Sequence, residues 1–220
     1  ACLSSAELGY IPLGSSNDLA RGLGLPSDPE EALFPILNAP AVPIDVGCIQ
    51  YRGKSRRFLV STGIGFDAAV CHQVMVSKLK PFLNRFHLGR LTYAGVALQL
   101  MFFLRPGKMK LILDGTKEVS FSKVYFGAAM NLPYEGGGFR FCPDARCRDG
   151  RLDIIVLANL PKFKVLSLLP TAFWGLHTRF RGVYTYTCRS VEFISDRELA
   201  VHTDGEPVLY QKRLKVCLEK

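Results

Sequence analysis

Residues 108–131 read "KMKLILDGTKEVSFSKVYFGAAMN", and the fold class turns on them. Two runs rich in Val, Ile, Leu, Phe and Tyr flank Asp114-Gly115-Thr116, a short turn, so the stretch reads as two antiparallel strands. Downstream, "GGGFRFCP", "RLDIIVLA", "VYTYTCRSVEFIS", "ELAVHTDG" and "RLKVCLE" read as further strands with turn residues between them. Upstream, "IDVGCIQY" (44–51) and "RRFLVSTGIGF" (56–66) read as a hairpin around Arg52-Gly53-Lys54. After residue 43, helical spacing is confined to 67–83, 88–104 and 161–180, the last interrupted by Pro170. So many strands with so few helices predict an α+β chain built on a mainly antiparallel β-sandwich.

The first 40 residues have a different texture. Ser16 or Asn17 can cap a helix carrying Leu19, Ala20 and Leu23, which Gly22 and Gly24 then end. Asp28 caps a second helix, with Pro29 in its first turn and Glu30 and Glu31 at its positive end. "NAPAVP" (38–43) reads as a linker, so residues 1–41 are expected to belong to one unit and 42–220 to another.

With 220 residues, 48% of them hydrophobic, the chain can bury a sizeable core and is not a disordered one. Its formal charge of +9 suits an anionic partner, whether nucleotide phosphates, an anionic membrane or nucleic acid; simple solubility accounts for it equally well. The basic residues form no aromatic-interleaved stripe, so no nucleic-acid partner is expected. Seven cysteines include no C-x-x-C pair, and nothing completes a zinc site around Cys142 and Cys147. They are expected to pack as small apolar residues in a reducing cytosol. No secretory signal opens the chain, and Tyr93 to Leu104, the longest apolar stretch, falls short of the ~20 residues a membrane span needs. The first residue is Ala1, and the chain reads as a fragment of something longer.

Four segments could carry chemistry. In "LGSSNDLARG", Gly14 permits a turn, Ser15 and Ser16 offer hydroxyls, and a helix start follows; this suits either phosphate oxygens or an ordinary cap. In "NLPYEGGGFRFCPDARCRDGRLDIIV", Gly136 to Gly138 imply a close backbone approach. Asp149 there lies in a tight turn that suits a hard cation or a plain hairpin. In "VHTDGEPVLY", Asp204 and Glu206 stand either side of a glycine, where one could take a proton from a hydroxyl, or where both simply flank a turn. In "STGIGFDA", Gly63 and Gly65 read as close-approach positions, and Asp67 favours the start of a helix.

Taken in order, "IPLGSSNDLAR", "STGIGFDAAV", "NLPYEGGGFRFCPDARCRDGRLDIIV" and "TDGEP" resemble the diacylglycerol kinase and sphingosine kinase-like lipid kinase family, in its bacterial branch. The resemblance covers Gly9 to about Leu218. It implies an N-terminal α/β nucleotide-binding domain, a C-terminal β-sandwich and an active site between them. The family's Gly-Thr-x-Asn-Asp stretch aligns with Gly14, Ser15, Ser16, Asn17 and Asp18, with Ser15 keeping the hydroxyl of the nucleotide-contacting threonine. The family's structural Mg²⁺ implies a site at Asp149 with main-chain oxygens of Arg146 and Arg151. Its Asp-Gly-Glu implies Glu206 as proton acceptor, with Asp204 beside it. The family's Gly-Gly-Asp-Gly-Thr loop, which cradles ATP phosphates, is absent; residues 1–41 therefore resemble the tail of the nucleotide-binding domain.

The resemblance thus implies ATP-dependent phosphorylation of a lipid hydroxyl, with ATP and Mg²⁺ as cofactors and a truncated form as the chain in hand. A non-catalytic lipid- or membrane-binding homologue is the alternative. It further implies a cytoplasmic protein peripheral on the inner face of the membrane, and leaves a homodimer open. Lys78, Lys80, Arg85 and Arg90, beside Phe82 and Phe86, are the expected membrane edge or, equally, a solvated basic face.

Overall fold

The computed structural model describes residues 7–14, 16–76 and 99–219. Helices α1 (Asp18–Leu23) and α2 (Pro29–Asn38) come first. Strands β1 (Gly47–Tyr51), β2 (Lys54–Phe58) and β3 (Ser61–Gly65) lead into α3 (Phe66–Val76), and residues 99–103 are helical. Then come β4 (Gly107–Leu113), β5 (Lys117–Met130), β6 (Leu152–Ala158), a helix at Lys162–Leu168 and 3₁₀ turns at Pro170–Trp174 and Leu176–Arg179. The last strands are β7 (Val183–Cys188), β8 (Ser190–Leu199), β9 (Val201–Thr203), β10 (Glu206–Pro207) and β11 (Gln211–Leu218).

Neighbouring strands run antiparallel in the order β10-β9-β3-β5-β4-β8-β11-β1-β2, with β6 on β5 and β7 on β6. The 14-residue β5 folds this sheet into two layers. Its first half pairs β4, from Lys117↔Leu113 to Val124↔Gly107. Its second half lies between β3 and β6, from Phe126↔Gly65 to Met130↔Ser61 on one side and from Val124↔Ala158 to Met130↔Asp153 on the other. Both ladders shift register near the changeover, at Gly107/Met109 and Val124/Phe126. A strand that changes layers needs such an irregularity to bend.

The core between the layers takes Ile49, Phe58, Ile64, Leu111, Phe193, Leu214 and Val216 from six strands. In β6, Leu152, Ile154 and Val156 face that core, while Ile155 and Leu157 face a second cluster under Met101, Val165 and Leu168 of the helical segments. Coverage on both faces explains why "LDIIVLA" is almost continuously apolar. The antiparallel sandwich expected from the turns and alternation is the fold observed.

Two expected strands are broken, each by a distant carboxylate. The 56–66 run divides into β2, which pairs β1, and β3, which pairs β5 and β9 in the other layer. At the division Asp204 accepts N–H bonds from Leu59 (2.9 Å), Val60 (2.8 Å) and Ser61 (3.1 Å). The 183–195 run divides into β7 and β8, where Asp114 Oδ1 accepts from the N–H of Arg189 (2.8 Å) and Ser190 (2.9 Å). Both aspartates sit in Asp-Gly turns with positive φ at each residue, 50° and 72° at Asp114-Gly115 and 49° and 76° at Asp204-Gly205. Each turn thus reverses one hairpin and holds open a layer crossing elsewhere.

"GGGFRFCP" is not a strand. Gly136, Gly137 and Gly138 adopt φ of 66°, 85° and 116°, and the loop closes through reciprocal backbone bonds between Glu135 and Phe139. Asn17 does not cap α1 through its side chain; it adopts φ 50°, and its amide donates to the Pro12 carbonyl instead (3.2 Å). Asp28 does cap α2, accepting from Glu30 and Glu31 N–H. Pro170 interrupts the 161–180 helix, and Gly175, at φ 70°, interrupts it again. The expected helices at 67–83 and 88–104 lie partly outside the described residues, as do Lys78, Lys80, Phe82, Arg85, Phe86, Arg90 and Ser15. Cys142, Cys147 and Cys188 are buried and free, packed as small apolar groups.

Candidate functional site

A continuous series of contacts runs from the first helix to the last Asp-Gly turn. Helix α1 packs through Leu19 and Leu23 on Val60, Leu132 and Cys147. This brings Asp18 to the glycine loop, where the Gly137 N–H donates to Asp18 Oδ2 (2.7 Å). Asp18 also pairs with Arg21. Burial pushes the Asp18 carboxyl above its ordinary range, against the pull of the Gly137 N–H and Arg21. Glycine is required in the loop by its positive φ, and Ser16 Oγ stands only 3.5 Å from where a Gly137 Cβ would lie. At Gly14 the Asn17 amide oxygen occupies the equivalent space (2.9 Å).

Glu135, two residues before Gly137, reaches the opposite way. Its Oε1 lies 2.9 Å from His202 Nε2, and Asp67 Oδ2 lies 3.2 Å from the same nitrogen. His202 is fully buried and both carboxylates nearly so. His202 Nδ1 accepts from the Gly205 N–H (3.3 Å), which turns the ring's own N–H toward the carboxylates. Burial opposes charge on the ring, but Glu135 and Asp67 outweigh it and raise its pKa well above the ordinary value. Burial likewise raises Asp67. Asp67 and His202, both raised and in contact, therefore share a proton more tightly than either would hold one alone. Gly63 accommodates them, since a Cβ there would lie 1.9 Å from Asp67 Oδ2 and 2.5 Å from His202 Nε2.

Past Gly205 the chain enters β10, where Glu206 pairs with Thr203 across the ladder. The Glu206 side chain is 69% exposed and forms an ion pair with Arg56. Asp204 is turned away from it, with both oxygens occupied by the β2–β3 crossing.

Asp149 occupies a separate turn, where its Oδ1 accepts from the Arg151 N–H (3.0 Å). Asp45 reaches the same turn, accepting the Gly150 N–H (2.9 Å). Burial raises the Asp153 carboxyl, and the nearby Asp149 and Asp144 carboxylates raise it further. Such a gathering of oxygen donors suits a hard dication.

Nine buried side-chain polar atoms lack a partner among the described residues, and six of them lie on the segments that converge here: Asn17 Oδ1, Ser61 Oγ, Asp67 Oδ1, Asn131 Oδ1, Glu135 Oε2 and Thr203 Oγ1. Buried polar atoms of this kind call for a ligand or ordered water. Asp45, Glu135 and His202 were not singled out in the sequence, and Asp67 was read as a helix-start residue. Their signals were a Glu directly before three glycines and a lone His among strand residues.

A profile of the YegS C-terminal NAD kinase beta sandwich-like domain matches residues 60–211, and one of the diacylglycerol kinase catalytic domain matches residues 2–49. The chain belongs to the diacylglycerol kinase and YegS-like lipid kinase family. A diacylglycerol kinase of Mycobacterium tuberculosis is 33% identical over 203 residues, covering 90% of this chain and 62% of that protein. A diacylglycerol kinase of Bacillus subtilis is 30% identical over 207 residues, with the same 90% and 62%. The crystal structure of a diacylglycerol kinase from Bacillus anthracis superposes with a TM-score of 0.67 at 20% identity, over 97% of this chain and 64% of that one, and shares the fold. The chain thus spans about three-fifths of the length of the curated relatives it matches. The resemblance read from the four motifs is borne out. No described helix is long and apolar enough to cross a membrane.

Proposed function

We propose that this chain is the larger part of an ATP-dependent lipid kinase that phosphorylates a lipid hydroxyl, working on the inner face of a membrane. Residues 1–41 are then the end of the nucleotide-binding unit and 42–220 the sandwich. The supporting observation is the unbroken line of contacts from Asp18 through Gly137 and Glu135 to His202, four residues from Glu206. It joins the nucleotide-side turn to the proposed proton acceptor across separate stretches of sequence.

In this reading Glu206 takes the proton of the attacking hydroxyl, and Arg56 orients its carboxylate. Asp204 positions Glu206 indirectly, by fixing the turn from which β10 starts. Gly14, Ser15, Ser16, Asn17 and Asp18 seat the nucleotide. Asp149, with main-chain oxygens of Arg146 and Arg151, would hold a structural Mg²⁺ that ties the 146–151 turn together. Bound Mg²⁺ at the nucleotide would neutralise phosphate charge during transfer.

The test is Glu206→Gln in the natural full-length protein. Loss of a proton acceptor should lower kcat by about 10²–10⁴-fold. Because Glu206 is exposed and its ion pair with Arg56 lies near the surface, stability should change by no more than about 1 kcal/mol. Turnover at the wild-type rate would overturn the assignment. Lipid binding with no turnover in the wild-type protein would point to a non-catalytic homologue.

A further inference from the structure

Charge is segregated along this chain. No Asp or Glu occurs between residues 68 and 113, where there are seven Lys or Arg, or between 154 and 191, where there are five. The described parts of both stretches meet on the outer side of β6. There residues 99–103 and the helix Lys162–Leu168 cover one apolar cluster, and Lys162 Nζ donates to the Phe102 carbonyl (2.7 Å).

Their outward side carries large apolar groups. Phe102 is 67% exposed, Phe103 79%, Phe163 68% and Trp174 70%. These are not loose ends. Phe173 stacks on Phe139 with centroids 4.2 Å apart and meets Trp174 edge-on, while Val165 and Leu168 anchor the helix from beneath. Exposed Arg105 and Lys164 follow Phe103 and Phe163 in sequence, and exposed Arg179 and Arg181 follow Trp174. Aromatic rings and cations on stretches that carry no Asp or Glu match the boundary between headgroups and acyl chains. A second copy of the same face would bring like charges together, whereas anionic lipid complements it.

We propose that this face docks on an anionic bilayer. Trp174, Phe163 and the Phe102–Phe103 pair enter the headgroup boundary, and Lys164, Arg105, Arg179 and Arg181 lie against lipid phosphates. The proposal deepens the lipid kinase reading and rests on it for its purpose, because a kinase acting on a lipid must meet its substrate at the bilayer.

Trp174 is the only tryptophan in the chain and serves as the probe. The natural full-length protein is mixed with phosphatidylglycerol or phosphatidylcholine vesicles, without ATP or diacylglycerol, and a Trp174→Phe variant supplies the background. Emission should shift to the blue with phosphatidylglycerol alone and be quenched by brominated acyl chains. In co-sedimentation, Lys164→Ala with Arg181→Ala should weaken binding roughly twenty-five-fold, at about fivefold per charge near the surface. Transfer to detergent-dispersed lipid should be unchanged in that variant. Unshifted emission, or sedimentation equal to wild type, would overturn the docking face. So would conversion of a dimer to a monomer by Phe163→Ser in analytical ultracentrifugation, which would mark a subunit interface. A spectral shift with no phosphoryl transfer to any dispersed lipid would instead overturn the kinase reading and leave the docking face standing.

Discussion

Replacing Asp204 with Ala separates two roles that the sequence alone would merge. The carboxylate accepts from three backbone N–H groups, those of Leu59, Val60 and Ser61, at 2.8–3.1 Å. Val60 and Ser61 are buried, so water cannot reach their amides once the carboxylate is gone; Leu59 lies nearer the surface. A hydrogen bond to a charged group contributes about 1.5–3 kcal/mol, and a stranded buried donor costs about 1–3 kcal/mol. Two stranded donors and one that water rescues give a loss of about 3 kcal/mol after allowance for non-additivity. For a chain of this size that is roughly 10 °C in Tm, at 2–4 °C per kcal/mol. Asp204→Asn should lose less, since an amide oxygen in the place of Oδ1 keeps the Val60 and Ser61 N–H groups and only the surface-near Leu59 N–H then meets a donor. Calorimetry gives the total, and hydrogen exchange at Leu59 to Ser61 should show the loss concentrated there. A Tm within about 2 °C of wild type, a loss of no more than about 1 kcal/mol, together with abolished turnover would refute the reasoning and make Asp204 part of the chemistry.

Gly63→Ala would place a methyl 1.9 Å from Asp67 Oδ2, so chemical denaturation should show a loss above about 2 kcal/mol; a neutral outcome would mean that the buried cluster is looser than described. His202 and Asp67 both titrate above their ordinary values, so the folded chain holds protons that the unfolded chain releases. Stability, followed by urea midpoints, should therefore decline as pH rises above about 6.5, the value for an unfolded histidine. His202→Gln should flatten that slope, and rising stability over the same interval would contradict the shared proton. Added Mg²⁺ at ten times its Kd should stabilise the protein by about 1.4 kcal/mol; Asp149→Ala should abolish the gain, and an equal gain in the variant would place the ion elsewhere.

The elements legible in the sequence are those set by neighbours in the chain. Asp114-Gly115 marked the β4–β5 turn, Arg52-Gly53 the β1–β2 turn, Asp28 and Pro29 the start of α2, and Pro170 the end of a helix. The breaks at Leu59–Val60 and Arg189 were not legible, because the groups that cause them are 145 and 75 residues away. Nothing in "RRFLVSTGIGF" announces that a carboxylate will take three consecutive N–H groups. The same holds for the buried cluster. Asp67, Glu135 and His202 come from a helix start, a loop and a short strand, and each has an ordinary local reading. Gly63 could be read as a close approach, but what approaches it is fixed only by the pairing of β3 with β9. By contrast Asp18, Asp149, Asp204 and Glu206 stood out through their motifs, and the structure adds which of their oxygens are already engaged.

Strand β11 lies between β8 and β1 although it follows every other described strand in sequence. Among the described strands the hairpin β1–β2 pairs with β11 alone, Gly47 facing Phe58 on one side and Leu218 on the other. During synthesis at 5–20 residues per second that hairpin waits on the order of ten to thirty seconds for its partner. Through that interval an unpaired ladder is open to any passing strand, and the arrival of β11 is what closes that edge.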